Sequence, residues 1–340
     1  MLFRSHQALE GEIFLISPQS SSLIAMDNFS RRRLLQAQGV EGLESITPIY
    51  MSFGLWKDPD QQGTRGIFVM GIEPTERVFP ASFLPDLAPI KLQDSVLFDQ
   101  NSRDEFGPVA TLFEEQGMVE TELNSRRVTV GGLFSLGASF GADGNLITSD
   151  LNFRRIFNRD LGQIEVGLIR LKPEANLEAV LRTIRREIAE PNGDVLAMSK
   201  EEFVDFERSY WQNSTSIGFI FNLGAVIGWT VGTVIVYQIL YTDVADHLAE
   251  YATLKAMGYR NLYLLSVVFQ EAIILSVLGF LPAFFLGVFL YRMTRNATSL
   301  PIYMTQERGI FIFALTMVMC VVSGAIAVRK VQEADPADIF

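Results

Sequence analysis

Three long apolar stretches in the last third of the chain decide how it can fold. Residues 209–242 and 309–328 contain no Asp, Glu, Lys or Arg, and residues 261–291 contain only Glu271. A helix needs about 20 apolar residues to cross the hydrocarbon core of a bilayer. We therefore predict three membrane-spanning helices, at about residues 216–241, 262–290 and 309–328.

The preceding 208 residues contain no comparable stretch, and we predict that they fold in water as an α+β domain. Short apolar runs predict strands near residues 12–17, 46–53, 66–72, 128–133 and 164–171. An amphipathic pattern capped by Asn176 predicts a helix over residues 177–188. This domain carries −10 of the formal net charge of −11. Such an acidic surface repels phosphate, which argues against nucleic acid as a partner.

A second helix is predicted to leave this domain and enter the membrane. Ser199 and Glu202 have the spacing of a capping box, and neither Pro nor Gly follows before Gly218. We therefore predict one unbroken helix from Ser199 to Tyr241, about 60 Å long at 1.5 Å per residue. Its first half would form a stalk, so that residues 1–208 comprise the domain and stalk and residues 209–340 the transmembrane part.

The apolar stretches contain a few residues that invite a functional interpretation. Gly224, Gly228 and Gly232 recur every four residues, a spacing that lets helices approach closely in lipid. Glu271 is the one acidic residue of its stretch, and we predict helix packing or interface anchoring rather than proton relay. Cys320 is the only cysteine, so no intramolecular disulfide can form, and we predict a small packing residue there.

The segment between the first two spans is predicted to form a short amphipathic helix over residues 243–258. Val244, Leu248, Tyr251 and Leu254 recur at helical spacing within it. Asp243 suits its start, and Gly258 suits its end. Such a helix can dock into the groove of a partner protein.

Motifs for catalysis and for nucleotide binding are missing from the sequence. It contains no phosphate-binding G-x-x-x-x-G-K-[ST] loop, no G-x-S-x-G nucleophile elbow and no H-E-x-x-H zinc motif. We therefore predict no catalytic, cofactor-binding or metal-binding residue.

Residues 250–259 read E-Y-A-T-L-K-A-M-G-Y and precede Gln270-Glu271. This pattern resembles the segment after the second transmembrane helix of FtsX/MacB-type ABC permeases, and its wording is closest to the cyanobacterial DevC branch. Other segments that resemble this family are residues 16–18, 55–59, 96–99, 102–107 and 334–338. The similarity extends over nearly the whole chain.

The resemblance implies four spans, with a large MacB-type periplasmic domain of two lobes between the first and the second. Only the last three spans are visible here, and residues 1–7 contain no apolar core of signal-peptide length. We therefore expect that the first span is absent and that the chain lacks its natural N-terminus. The implied location is the inner membrane, with several spans and the large domain in the periplasm.

The resemblance also implies a mechanism. A separate ABC ATPase would dock on the helix at residues 243–258, and ATP-driven closure would move the spans of a permease homodimer. The periplasmic domains would then act on cargo, such as an envelope glycolipid, with an adaptor (membrane fusion) protein and a TolC-like outer-membrane channel. The residues expected to couple to the ATPase are Glu250, Leu254, Lys255, Ala256, Met257 and Gly258.

Two alternatives remain at this point. An FtsX-type regulatory transmitter would use the same machinery to control a periplasmic enzyme without transporting cargo. A receptor whose aqueous domain binds a ligand would need no ATPase.

Overall fold

A computed structural model describes residues 9–60, 63–76, 78–80, 83, 86–139, 141–257, 259, 261–298 and 302–332. The described chain divides into two compact units. One unit contains residues 9–214 and 295–298, and the other contains residues 215–294 and 302–332.

The first unit combines strands and helices, as predicted. Its strands are β1 (Ile13–Ile16), β2 (Phe29–Ser30), β3 (Leu43–Lys57), β4 (Thr64–Ile72), β5 (Ser95–Asp99), β6 (Val119–Leu123), β7 (Arg126–Phe134), β8 (Asn145–Ser149), β9 (Gln163–Ile164), β10 (Val166–Leu171) and β11 (Leu196–Ser199). Its helices are α1 (Arg31–Ala37), α2 (Val109–Gln116), α3 (Asp150–Phe157), α4 (Leu177–Ile184) and α5 (Lys200–Ser209). The α+β class is therefore confirmed.

One long strand, β3, organises the main sheet. The strand order is β11-β1-β10-β3-β4-β8-β5-β7-β6. Residues 43–49 of β3 pair with β10, whereas residues 50–57 pair with β4. A bridge between Trp56 and Leu123 also joins β3 to β6. The strands thus form two lobes that share β3, and the second lobe closes into a ring.

All five strands predicted from apolar runs are present in the structure. The prediction missed β2, β6, β8 and β11, did not separate β9 from β10, and included β5 only as a segment that resembles the family. Asn176 caps α4 as predicted, since its Oδ1 accepts a hydrogen bond from Ala179 N at 3.0 Å. The regular part of α4 ends at Ile184 rather than at residue 188, because the last turn is a π-helix, Arg185–Ala189.

The predicted unbroken helix from Ser199 to Tyr241 is wrong. The capping box of Ser199 and Glu202 is confirmed, but α5 ends at Ser209 and a π-helical turn follows at Tyr210–Ser214. Thr215 then has extended backbone angles, φ −109° and ψ 149°, and its hydroxyl accepts a hydrogen bond from Gly218 N at 3.2 Å. A threonine hydroxyl that caps a new helix competes with continuation of the old one.

Two of the segments that resemble a known family meet in the second lobe. Trp56 is fully buried, and its Nε1 donates a hydrogen bond to the carbonyl oxygen of Phe106 at 3.0 Å. Gly107 has a φ of +92°, and its α-carbon lies against the carboxylate of Asp58, where a side chain would collide. Tryptophan and glycine at these positions are therefore required by packing.

Asp99, at the end of β5, fixes the loop that follows β7. Its carboxylate is fully buried and accepts hydrogen bonds from the backbone N–H groups of Asn101 (3.1 Å), Leu136 (3.0 Å) and Gly137 (2.7 Å). The side-chain amide of Asn145 donates a fourth, at 2.8 Å. Burial raises the pKa of Asp99, and these hydrogen bonds oppose that shift.

We predict that Asp99→Asn loosens this loop. The new amide would turn an NH₂ group toward donors, which costs about 1–3 kcal/mol when a buried polar group loses its partner. Hydrogen exchange of the Leu136 and Gly137 amides in the purified full chain measures the effect, and Asp104→Asn, at an exposed position, is the matched control. Unchanged exchange in the Asp99 variant would contradict the proposed role.

Candidate functional site

The second unit consists of helices α6 (Ser216–Asp246), α7 (Leu248–Ala256), α8 (Asn261–Thr298, whose end belongs to the first unit) and α9 (Gln306–Gln332). By length and composition, three segments are able to cross a membrane: Ser216–Asp246, Ser266–Ala297 and Gln306–Val328. These segments coincide closely with the three predicted spans, although α6, α8 and α9 all extend further than predicted. The helix expected to contact an ATPase, α7, lies between the first two.

The connecting helix α7 is shorter than the predicted helix over residues 243–258. Residues 243–246 continue α6 instead of beginning a new helix. His247 separates the two helices, with φ −96° and ψ 13°. Its N–H donates to Asp243 O at 3.2 Å, and its carbonyl accepts from the N–H groups of Glu250 and Tyr251, both at 3.1 Å. His247 thereby ends α6 and starts α7.

The two faces of α7 differ in exposure. Val244, just before α7, is 2% exposed and belongs to an apolar cluster with Val268 of α8 and Val328 of α9. Tyr251 packs against that cluster. Leu248 and Leu254 are half-buried. The predicted apolar stripe therefore faces helices of its own unit.

The opposite face of α7 is open to solvent or to a partner. Glu250 and Thr253 are exposed, and Met257 is 64% exposed. The backbone of Lys255 and Ala256 lies in α7, but their side chains lie outside the described residues, as does Gly258. Of the six predicted coupling residues, Glu250 and Met257 lie on the outer face, and Leu254 does not.

Of the three glycines predicted to form a packing stripe on α6, Gly232 is the one that lies close to another helix in the described part of the chain. A Cβ atom at Gly232 would lie 3.0 Å from Met319 Sδ of α9. At Gly224 and Gly228, no heavy atom of the described chain lies within 4 Å of the Cβ position. Two of these three glycines are therefore open to lipid or to another chain.

Sequence reasoning missed the glycine at which three helices converge. Next to Gly324 of α9 lie Leu240 of α6 and Val268 and Ala272 of α8, at 3.5–3.7 Å from its Cβ position. Beside it, the buried Ser323 donates its hydroxyl proton to the carbonyl of Thr233 on α6 at 3.0 Å. Cys320, 3% exposed, packs in the same region, as the sequence predicted.

Glu271 has an acidic neighbour that the sequence did not reveal. Its carboxyl group lies within hydrogen-bonding reach of the Asp243 carboxyl group of α6. His247 Nδ1 is 3.8 Å from Asp243 Oδ1. The sequence predicts Asp243 at the start of the connecting helix. In the structure it lies on the last turn of α6, where its carboxyl group approaches Glu271 of α8. Three ionisable groups therefore gather where α6, α7 and α8 meet.

His247 is a hinge residue whose charge depends on pH. Its Nδ1 lies 2.9 Å from the carbonyl oxygen of Asp243, and this hydrogen bond, together with the Asp243 charge, raises the pKa of His247 above its ordinary value. Among the described residues, no group of three or more His, Cys, Asp or Glu side chains is arranged to hold a metal ion.

Comparison with known proteins relates the site-bearing helices to a family. Residues 222–336, about a third of the chain, match the FtsX-like permease C-terminal domain, and this match includes all of α7, α8 and α9. No curated protein matches the chain. The helices that contain the candidate site are therefore the FtsX-like part of the chain.

The solved structures that are similar to the chain include the following two. The periplasmic region of MacB from Actinobacillus actinomycetemcomitans matches with 10% identity over 60% of this chain and 96% of that one, with a TM-score of 0.40. The extracellular domain of the noncanonic ABC-type transporter YknZ from Gram-positive bacteria matches with 11% identity over 56% of this chain and 100% of that one, with a TM-score of 0.37.

We predict that the imidazole of His247 titrates above its ordinary pKa of about 6.5. The folded junction favours the protonated ring, so its stabilisation is present below the unfolded pKa and is lost as the pH rises through the folded pKa. The chain contains two histidines, so His6→Gln leaves one signal for a proton NMR titration. Asp243→Asn should lower the midpoint. A midpoint at or below the ordinary value would contradict the geometry.

Proposed function

We propose that this chain is the membrane-spanning permease subunit of an ABC-type exporter, driven by a separate ATPase. The FtsX-like match over residues 222–336 supports a transporter component that does no chemistry of its own. The observation that carries the proposal is α7, a short helix between two candidate spans with one face packed and the other exposed. A helix of this kind presents a fixed docking surface to a partner's groove.

The packing of α7 gives a route by which a docked ATPase moves the spans. Tyr251 on its inner face lies against the cluster of Val244, Val268 and Val328, which come from α6, α8 and α9. Displacement of α7 would therefore act on three helices at once. Close-packed interiors transmit such displacements because they resist compression.

The outer face of α7 supplies the contact residues under this proposal. Met257 offers an exposed apolar side chain, and Glu250 offers a charge at the opposite end of the helix. Lys255, Ala256 and Gly258 remain candidates from the resemblance. Leu254 acts from the inner face and transmits force rather than making the contact.

The finer features follow the resemblance to DevC-like permeases. We propose an inner-membrane homodimer with the large domain in the periplasm and α7 in the cytoplasm. Gly224 and Gly228 offer a surface on α6 that another helix can approach closely. A periplasmic adaptor, a TolC-like outer-membrane channel and a glycolipid or other envelope cargo complete the proposed exporter.

Membrane sidedness is the first test. In a Cys320→Ala background, Thr253→Cys marks α7 and Met118→Cys marks the aqueous domain, since both positions are exposed. We predict that an impermeant maleimide labels Thr253→Cys only from the cytoplasm and Met118→Cys only from the periplasm. Labelling of both from the same side would contradict the proposed topology.

A charge on the outer face of α7 should disrupt the ATPase contact. Met257→Asp places a carboxylate where the proposal requires an apolar contact, and burial of an unpaired charge in an interface is unfavourable. We predict about a tenfold loss of ATPase affinity, equivalent to about 1.4 kcal/mol. Co-purification with the ATPase and its stimulated turnover measure the loss.

Met118→Asp is the matched control, because Met118 is 57% exposed and lies in the aqueous domain. It should bind the ATPase normally. Equal binding by both variants would contradict docking on α7.

The proteins that co-purify with the unaltered complex separate the two functions: an adaptor and a channel support export, whereas a cell-wall hydrolase supports the regulatory alternative.

A further inference from the structure

Glu207 of α5 is an acidic side chain in an almost fully buried position. It is 2% exposed. Its Oε2 accepts a hydrogen bond from the backbone N–H of Leu23 at 2.8 Å, and its Oε1 accepts one from the indole Nε1 of Trp211 at 2.7 Å. A carboxylate is buried at this depth only when partners replace its water. The hydrogen bond to Leu23 joins positions 184 residues apart in the sequence.

Leu23 belongs to a self-contained loop, residues 20–27, between β1 and β2. Ser20 Oγ accepts from Asp27 N at 3.1 Å, Ser21 N donates to Ala25 O at 3.1 Å, and Ala25 N donates to Ser22 O at 2.9 Å. These bonds join the residues of the loop to one another. Glu207 therefore holds the whole of segment 20–27, not a single residue.

Segment 20–27 in turn lies against a loop after β7, whose described residues are 136–139 and 141–142 and which is called segment 136–142 below. A Cβ atom on Gly141 would stand 2.6 Å from Ile24 Cδ1, so the backbone at Gly141 directly contacts the Ile24 side chain. Ser139 holds that turn, because its Oγ accepts from Ala142 N at 3.1 Å and its N–H donates to Ala142 O at 2.8 Å. The turn therefore responds to Ile24 as a unit.

The far end of segment 136–142 is fixed to the second lobe by Asp99, which binds the N–H groups of Leu136 and Gly137. One apolar cluster lines the whole route, and it includes Phe203 of α5 together with Leu23, Leu136 and Ala142. Phe203 also stacks on Phe14 of β1, with ring centroids 4.6 Å apart. Helix α5 thus contacts the sheet through Phe203 and segment 20–27 through Glu207.

We propose that Glu207 is a positioning residue that transmits displacement of α5 to segment 20–27, and through Ile24 to segment 136–142. This inference rests on the proposed function, in which the ATPase cycle moves the spans, the first of which follows α5 along the chain. It identifies the part of the aqueous domain that this movement would displace. The two loops are the surface that changes between the nucleotide states.

The experiment compares hydrogen exchange in the full permease–ATPase complex with and without a non-hydrolysable ATP analogue. In the unaltered complex, both segments should change their protection when the analogue binds. Glu207→Gln removes the charge and leaves one acceptor oxygen for two donors, Leu23 N and Trp211 Nε1. The Leu23 amide then either loses its acceptor or keeps a weaker neutral bond, so it should exchange about tenfold faster. The nucleotide-dependent change should disappear from both segments, while ATPase turnover is retained.

Two further variants resolve the steps of the route. Asp205→Asn is the matched control on α5, since the Asp205 side chain is 66% exposed and pairs with Arg208, and it should behave like the unaltered complex. Ile24→Ala removes the contact with Gly141, so segment 20–27 should still respond and segment 136–142 should not. This stepwise loss measures the coupling directly.

The outcomes separate the inference from the function on which it rests. If no ATPase binds the unaltered chain, the proposed function fails and the inference fails with it. If the ATPase binds and Glu207→Gln keeps the nucleotide-dependent change in both segments, the inference alone is refuted. Should Glu207→Gln not fold, a full response of segment 136–142 in Ile24→Ala refutes the route just as clearly.

Discussion

The helices of the second unit expose large apolar side chains, which are unfavourable in water, and this exposure determines the environment in which the helices are stable. Phe221, Phe285 and Phe311 are each 68–69% exposed on α6, α8 and α9. Burial of one such side chain in an apolar medium is worth about 1.5–3 kcal/mol, so a bilayer is the stable environment for these helices. Inside a bilayer every backbone polar group needs an internal partner, which favours unbroken helices. Accordingly, the backbone departs from helical geometry at Thr215 and His247, at the two ends of α6.

The junction at His247 gives the connecting helix its two roles. Because its carbonyl bonds to the first turn of α7 and its N–H bonds to the last turn of α6, the two helices share one hinge residue. The inner face of α7 is committed to packing through Tyr251, and the outer face carries Glu250 and Met257. Under the proposed function, a partner bound to the outer face of α7 would displace a helix that packs, on its inner face, against residues of α6, α8 and α9. The carboxyl contact between Asp243 and Glu271 lies at the same point.

Periodicity and capping predicted most of the elements, because they depend on local sequence. The strands with continuous apolar runs and the caps at Asn176 and Ser199 are confirmed, and the three predicted spans coincide with helices that are long and apolar enough to cross a membrane. Strand β6 is missed because the prediction rests on continuous apolar runs, whereas V-E-T-E-L alternates in polarity, the pattern of a half-buried strand. The break at Thr215 depends on which of two hydrogen-bonding patterns forms. The backbone bonds can continue the old helix, or the Thr215 hydroxyl can accept from Gly218 N and cap a new one. The convergence at Gly324 and the approach of Asp243 to Glu271 depend on how the helices are aligned against one another. A single sequence does not specify that alignment.

Buried carboxylates serve one purpose throughout the aqueous domain. Asp99 binds backbone N–H groups of the loop after β7, and Glu165 binds Met51 N at 2.8 Å while pairing with Arg159 at 2.6 Å. In each case a charge satisfies backbone donors that the sheet leaves without partners, and so it fixes a segment that apolar packing alone would not. Glu207 does the same for Leu23, but it does so from α5. Since α5 is the element that leads toward the first span, this carboxylate fixes a loop to the part of the domain that a membrane motor would move.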